Sequence, residues 1–219
     1  MLLKHGFDVR VVDGCLEGRK AVQSAIEEFH PQMVGISSLT PGRKKAIEIA
    51  DMVKQYDSSI IVVIGEAHPT IMHQQIMENY PSIDYVVIGE GETTCLEFAQ
   101  DKEPSQINGI VYRDKGSIME TLSRKNIETL DDILFPACHP LDLQKYPAID
   151  KGVYRGIDLK KVPRVSVIFS RGCSGRCDFC LTWWIWKEWR HRSAMNMLDE
   201  IDLLYKDHGI RYFCFADDA

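Results

Sequence analysis

Apolar residues in the first part of the chain recur with two different periods. Residues 7–13 alternate between apolar and polar side chains, which predicts a β-strand, and apolar residues between 16 and 29 recur at helical spacing. Met33–Ser37 predicts a second, buried strand. Pro41 is suited to the first turn of a helix that we expect to run to about Tyr56.

The same alternation of strand and helix continues to the end of the first hundred residues. The elements that it predicts next are a strand at 60–65, a helix at 69–80, a strand at 84–89 and a helix over Glu92–Ala99. Short strands alternating with helices of this length predict a parallel sheet with helices on both faces. The fold class that we expect for residues 1–100 is therefore α/β, doubly wound and Rossmann-like.

The remainder of the chain divides into a bridge and a second α/β segment. Residues 101–163 contain a predicted hairpin at 108–116 and a proline-containing linker. From Arg164 to the end of the chain, the pattern predicts a strand at 165–170, a helix from about 193 to 208 and a strand at 211–216. We therefore expect three parts, at 1–100, 101–163 and 164–219.

The composition excludes several classes of protein. The 219 residues are 45% hydrophobic and 26% charged with a net charge of −6, which is unlike disordered, collagen-like or disulfide-scaffold chains. No apolar run approaches the ~20 residues of a membrane span, and we expect a cytoplasmic protein. Residues 151–192 carry ten basic and three acidic side chains. Nucleic acid or an anionic cofactor could explain this excess, but on charge alone we favour a solvated face and no nucleic-acid partner.

Seven cysteines are too few, at this length, for a disulfide framework. Four are scattered beside apolar residues, where free cysteine is expected in the core: Cys15, Cys95, Cys138 and Cys214. The other three, Cys173, Cys177 and Cys180, form a CxxxCxxC pattern directly after the predicted strand.

Three thiolates within eight residues can hold one metal cluster if the loop curls around it, and Gly172 and Gly175 permit such a curl. Three ligands leave one iron of a [4Fe–4S] cluster open to an outside ligand. The alternatives are a zinc site completed by Cys214 or His191, or buried thiols.

This loop resembles the cluster loop of the radical S-adenosylmethionine (SAM) superfamily, CxxxCxφC with an aromatic residue at φ, here Phe179. The resemblance implies that the three cysteines hold a [4Fe–4S] cluster and that SAM binds its fourth iron. It also implies the first units of a partial (β/α) barrel and an electron donor such as flavodoxin or ferredoxin. Asp217, in a stretch that resembles the FxDD motif of one branch, either orients a bound group or satisfies loop amides.

Residues 1–100 resemble the cobalamin-binding domain that precedes the barrel in that branch. The matching stretches lie where strands end, at 34–40, 65–70 and 84–92, and the ligand-facing residues that the resemblance implies are Ser37, Ser38, Leu39, Thr40, Gly65, His68, Gly89, Glu90 and Gly91. The DxHxxG signature of other cobalamin proteins is missing, so His68 is expected at a pocket edge rather than on cobalt. Glu66 and Ala67 also depart from the family pattern.

All four tryptophans lie between 183 and 189, followed by Arg190 and Arg192. Trp186 and Trp189, on one helical face, would cap a barrel; alternatively, the stretch forms the wall of a cavity for a large flat substrate. It resembles the anaerobic magnesium-protoporphyrin monomethyl ester cyclase group, which implies a small-molecule substrate such as a tetrapyrrole or another large apolar compound.

The combined expectation is a cobalamin-dependent radical SAM enzyme that methylates or oxidatively cyclises an unactivated carbon. We also expect a fragment, without a first strand and without later barrel units, that is inactive on its own. Two alternatives remain: the first domain binds substrate instead of cobalamin, or the chain is a zinc-stabilised binding module.

Overall fold

The computed structural model describes residues 1–138, 140–141, 143, 146, 153–158 and 162–218. It divides the chain into two compact units, Met1–Asn126 and Ile127–Ala219. Much of the predicted linker, between 139 and 161, lies outside the described residues, as does Ala219.

The first unit contains a mixed five-stranded sheet and four α-helices. Its helices are α1 (Gly18–Phe29), α2 (Arg43–Tyr56), α3 (Ala67–Asn79) and α4 (Glu92–Ala99). Its strands are β1 (Met33–Ser37), β2 (Ile61–Gly65), β3 (Tyr85–Val87), β4 (Ile110–Asp114) and β5 (Ser117–Glu120). The strand order is β1-β2-β3-β4-β5. The helices and the parallel strands β1–β3 confirm the predicted α/β alternation.

The predicted hairpin completes this sheet. Strand β4 pairs antiparallel with both β3 and β5, with Val86 opposite Val111. The turn lies at Lys115 and Gly116, and β5 extends the hairpin to Glu120, beyond the predicted end at 116. The sheet is therefore parallel on one side and antiparallel on the other.

The core of the first unit lies between the helices and the sheet. Fully buried side chains from helix and strand contact one another there, among them Val53, Val62, Ile64, Met77 and Val86. Burial of these side chains is the main favourable contribution to the free energy of folding of this unit.

Two predictions for the N-terminal region are wrong. Residues 7–13 are not assigned as a strand, because no strand among the described residues pairs with them and the alternating pattern alone supplies no hydrogen-bond partners. Cys15, expected in the core, is exposed, and the other three scattered cysteines are only partly buried. Before this segment, a short 3₁₀-helix, Leu2–His5, ends at Gly6, which has a left-handed backbone.

The second unit is built around a small parallel pair of strands. Its strands are β6 (Val153–Tyr154), β7 (Ile157–Asp158), β8 (Arg164–Val167), β9 (Ser170–Arg171), β10 (Arg190–His191) and β11 (Tyr212–Phe215). Its helices are α5 (Thr182–Trp186) and α6 (Ala194–Asp207). Strands β8 and β11 pair in parallel, and the connection between them includes α6, as in a βαβ unit. Their core is Val167, Phe169, Leu204 and Ile210.

Within the described part of the chain, no helix has both the length and the apolar composition needed to cross a membrane.

Candidate functional site

The loops that follow β1 and β2 are joined by hydrogen bonds at the carboxyl edge of the first sheet. The backbone N–H of Ser38 donates to the carbonyl of Gly65 over 3.1 Å. The hydroxyl of Thr40 and Nδ1 of His68 are also hydrogen-bonded, 3.1 Å apart. Two of the three loops implied by the family resemblance therefore lie together, as expected for strand ends of a parallel sheet.

Thr70 joins the second loop to the third. Its hydroxyl donates to the carbonyl of Glu66 (2.9 Å) and accepts the N–H of Gly89 (3.1 Å). Gly89 has a left-handed backbone (φ +76°), so the turn after β3 suits glycine. Sequence reasoning missed the role of Thr70, because its partners lie 4 and 19 residues away.

The nine residues implied by the resemblance differ in their access to solvent. Those with exposed side chains are Ser37, Leu39 and Thr40. Ser38 and Glu90 are buried, so they support the loops from inside. A Cβ at Gly65 or Gly91 would contact Val87, whereas a Cβ at Gly89 would meet open space. Of these three glycines, Gly89 is thus the one that borders open space.

His68 lies at the edge of this surface, half-buried. Burial lowers the pKa of its imidazole, and the positive charge of Arg43 lowers it further. The guanidinium of Arg43 is held by the carbonyl of Thr40, 2.8 Å from its donor nitrogen. Both effects favour the neutral imidazole, and Nδ1 of His68 is hydrogen-bonded to the hydroxyl of Thr40.

In the second unit, the cysteine loop begins and ends at one short pair of strands, β9 and β10, which we call the neck of the loop. Strands β9 and β10 pair antiparallel, with Arg171 opposite Arg190, and so tie the two ends of the loop together. Directly inside the neck, Gly172 has φ +85°, and a Cβ there would lie 2.0 Å from the carbonyl oxygen of Glu188. Only glycine can occupy this position without opening the neck.

Two of the three thiols of the motif converge on Gly175. A Cβ at Gly175 would lie 3.4 Å from Sγ of Cys173 and 3.8 Å from Sγ of Cys177. The N–H of Gly175 also donates to Sγ of Cys173 over 3.3 Å. The backbone at Gly175 therefore lies beside both sulfurs.

The third thiol, Cys180, is in the same turn of the chain, since its N–H donates to the carbonyl of Cys177. Hydrogen bonds from the side chain and then the backbone of Thr182 lower the pKa of Cys180, while slight desolvation and the charge of Asp218 act in the opposite direction. Thr182 and Asp218 are further residues that the sequence interpretation did not connect with the thiols.

No three His, Cys, Asp or Glu side chains of the described residues are arranged to hold a single metal ion. The donor set, three thiols with backbone and hydroxyl donors to two of them, fits an iron–sulfur cluster, whose sulfur ligands commonly accept such bonds. Phe179 is 91% exposed at the tip of this loop.

Asp217 supports the base of the cysteine loop. Its Oδ1 accepts the N–H of Phe169 (2.9 Å), the N–H of Ser170 (2.5 Å) and the hydroxyl of Ser170 (2.7 Å). Of the two roles open from the sequence, the structure therefore gives Asp217 contacts with loop amides. Its assignment as a cofactor-binding residue stays a prediction.

The tryptophans and arginines after the cysteines do not form one helical face. Helix α5 ends at Trp186, where Lys187 adopts a left-handed backbone, so Trp189 lies outside the helix and the predicted shared face is wrong. Arg192 forms a buried ion pair with Glu200 and bonds to Oδ1 of Asn196. This arginine therefore ties β10 to α6.

Residues 1–99 match the family model of the B12 binding domain. This range covers α1–α4 and β1–β3. It includes the three hydrogen-bonded loops that follow β1, β2 and β3.

Two curated relatives match most of the chain. An uncharacterised methyltransferase of Pyrococcus horikoshii is 30% identical over 225 residues, which cover 100% of this chain and 47% of the relative. The anaerobic magnesium-protoporphyrin IX monomethyl ester cyclase of Rubrivivax gelatinosus is 32% identical over 206 residues, covering 90% of this chain and 35% of the relative. The chain thus spans less than half the length of these relatives.

A solved structure has the same fold. The radical S-adenosylmethionine methyltransferase TsrM of Kitasatospora setae, with cobalamin and a [4Fe–4S] cluster bound, superposes with a TM-score of 0.69 at 17% identity. The match covers 99% of this chain and 43% of TsrM. It confirms the predicted fold class.

Proposed function

The chain belongs to the radical SAM enzymes that carry a B12-binding domain, and from this premise we propose that it forms the cobalamin- and cluster-binding part of such an enzyme. In this proposal Cys173, Cys177 and Cys180 are the protein ligands of a [4Fe–4S] cluster. The reaction is methylation or oxidative cyclisation of an unactivated carbon in a small molecule. The observation that carries the proposal is the convergence of the Cys173 and Cys177 sulfurs on Gly175.

The cysteine loop prepares its thiols for metal binding. The thiolate, not the thiol, is the form that binds metal. The N–H of Gly175 donates to Sγ of Cys173, and hydrogen bonds from Thr182 lower the pKa of Cys180, which favours its thiolate in the folded loop. When bound, the cluster supplies the electron for reductive cleavage of SAM, and cobalamin supplies a methyl group or accepts an electron.

The loops at the carboxyl edge of the first sheet form the proposed cobalamin surface. Thr40 and His68 fix the first two loops together, and Thr70 fixes the third at Gly89. The exposed side chain of Leu39 and the open space at Gly89 leave room for a flat ligand. Because Nδ1 of His68 is bonded to Thr40, this histidine orients the loop at the edge of that surface.

The relatives suggest two kinds of substrate. A tetrapyrrole would be the substrate of a cyclase, as in the Rubrivivax enzyme's name, and the Pyrococcus methyltransferase suggests a methyl acceptor. In either case we propose an external electron donor such as flavodoxin or ferredoxin, since reductive cleavage of SAM requires one electron.

Absorption and EPR spectroscopy of the reconstituted chain test the proposal. After anaerobic reconstitution with iron and sulfide, we expect sulfide-to-iron charge-transfer absorption that dithionite bleaches, together with an EPR signal of the reduced cluster. A Cys173/Cys177/Cys180→Ala variant should lose both signals. A Cys15/Cys214→Ala variant, which also removes cysteines, should keep them.

Cobalamin binding is tested separately in the same preparation. We expect hydroxocobalamin to co-elute with the chain in gel filtration and to bind with unchanged affinity when the three loop cysteines are replaced. Co-elution of iron but not of cobalamin would contradict the assignment of the first unit. Retention of zinc without sulfide would contradict the enzyme assignment.

A further inference from the structure

Two arginines face each other at the neck of the cysteine loop. Arg171 in β9 lies directly opposite Arg190 in β10. Side chains that are directly opposite in an antiparallel pair lie on the same face of the ladder, and like charges in such a pair destabilise it. Arg190 is moreover buried, with 7% of its surface exposed. Nε of Arg190 lies 3.7 Å from a carboxylate oxygen of Glu188, and this ion pair offsets part of the repulsion.

Trp186 contacts both arginines and adds a second stabilising interaction. The guanidinium of Arg171 lies 5.7 Å from the centroid of the Trp186 ring, and that of Arg190 lies 5.9 Å from it. Both distances are within the range in which the negative face of an indole attracts a cation. Arg190 also donates to the carbonyl of Ile127 over 2.6 Å, which anchors this side of the neck.

The same tryptophan packs against the residue that precedes the first cysteine. A Cβ at Gly172 would lie 3.1 Å from Cβ of Trp186, so the two backbones are close together. Cys173 follows Gly172 directly. The position of Trp186 therefore bears on both the charge at the neck and the path of the chain into the cysteine loop.

We propose that Trp186 is a positioning residue for the cluster: it holds Arg171 and Arg190 together at the neck and so keeps two positive charges beside the cysteine loop. This inference rests on the proposed function. A reduced [4Fe–4S] cluster carries one more negative charge than the oxidised cluster, so nearby cations favour reduction. The enzyme requires that reduction before SAM can be cleaved. In this proposal Trp186 acts through the two arginines.

A matched set of tryptophan variants tests this role. Trp186→Leu removes the ring that both arginines contact. Trp184→Leu, the control, makes the same change in the same short helix at a side chain that is 70% exposed. Trp186→Phe keeps an aromatic face and serves as the rescue. Each reconstituted variant is poised at one fixed potential, and the ratio of reduced to oxidised cluster is measured by EPR.

We expect Trp186→Leu to lower that ratio by about threefold to tenfold, which corresponds to about 0.7–1.4 kcal/mol. Trp184→Leu should leave the ratio unchanged, and Trp186→Phe should restore most of it. Arg171→Gln should lower the ratio as well, and adding Trp186→Leu to it should have a smaller effect than Trp186→Leu has in the parent chain, because the Arg171 contact is already lost.

Several outcomes would overturn the inference. An unchanged ratio of reduced to oxidised cluster in Trp186→Leu would overturn it, even if that variant is less stable. An equal change of the ratio in Trp184→Leu would also overturn it. If Trp186→Leu does not fold, the comparison of Arg171→Gln with the parent chain decides the question. A parent chain that binds no cluster would overturn the proposed function itself, whatever the variants do.

Discussion

The carbonyl oxygen of Glu188 occupies the space that a side chain at Gly172 would need, 2.0 Å from the Cβ position of such a side chain. Gly172 lies immediately before the cysteine motif, and Glu188 lies just before the returning strand β10. This contact explains why the loop can close into a neck of only two paired residues on each side.

Replacing Gly172 by alanine should therefore open the neck. We expect the variant to lose at least about 3 kcal/mol of unfolding free energy in the second unit, because backbone must move to relieve the overlap. Urea unfolding followed by tryptophan fluorescence measures this, since all four tryptophans lie between 183 and 189.

Gly116→Ala is the matched control for this change. Gly116 has the same φ of +85° in the hairpin turn but has nothing within 4 Å of a Cβ. The control variant should bear only the backbone strain, about 1 kcal/mol. Unfolding of Gly116→Ala is followed by circular dichroism. Equal losses of unfolding free energy in the two variants would contradict the role of the Glu188 contact.

Asp217→Ala should destabilise the second unit by about 2–4 kcal/mol. The change removes three hydrogen bonds to Phe169 and Ser170 and leaves two backbone donors at the base of the loop without their partner. The neighbouring Asp218 is exposed, so Asp218→Ala should change stability by less than about 0.5 kcal/mol. Urea denaturation of both variants distinguishes them, and similar midpoints would count against the positioning role of Asp217.

Thr70→Val should loosen the turn after β3. The substitution keeps the shape of the side chain but removes the hydroxyl that bonds to Glu66 and Gly89. We expect faster amide hydrogen exchange at Gly89 and, under the proposed function, cobalamin binding weaker by about fivefold to thirtyfold. Thr93→Val, at a half-buried position in α4, is the control and should change neither quantity. Unaltered exchange at Gly89 in Thr70→Val would show that the hydroxyl does not hold the turn.

His68 should make the first unit less stable in acid. Burial and the charge of Arg43 lower its pKa in the folded state, so the unfolded chain binds a proton at a higher pH than the folded chain does. The stability that neutral His68 contributes is present above its ordinary pKa of about 6.5 and is lost as the pH falls through the folded value.

Replacing His68 with glutamine should reduce the loss of unfolding free energy that occurs as the pH falls. Urea unfolding followed by circular dichroism at a series of pH values from neutral to acidic measures the slope for the parent chain and the variant. His5→Gln, a change at an exposed histidine, should keep the parent slope. If the unfolding free energy of His68→Gln depends on pH as steeply as that of the parent chain, His68 is not the source of the acid-side loss.

The periodic parts of the fold could be predicted from the sequence because their side chains report burial directly. The apolar spacing in α1, α2 and α6 predicted helices close to their observed bounds. Residues 7–13 show the limit of this reasoning, since an alternating pattern predicts a strand only where another strand supplies hydrogen bonds.

The candidate site was predictable only in its cysteines and glycines. Asp217 bonds to Ser170 across 47 residues, and the contact of Gly172 with Glu188 spans the whole cysteine loop. No local pattern encodes such contacts. Likewise, the closeness of Thr182 to the Cys180 thiol depends on how α5 begins, which the tryptophan-rich sequence does not indicate.

Whether the three cysteines hold one [4Fe–4S] cluster is decided by the metal content of the anaerobically reconstituted chain. Iron, acid-labile sulfide and zinc are measured in the parent chain and in the Cys173/Cys177/Cys180→Ala variant. We expect about four irons and four sulfides per parent chain, as a [4Fe–4S] cluster requires, and neither in the variant. One tightly held zinc without sulfide in the parent chain would contradict it.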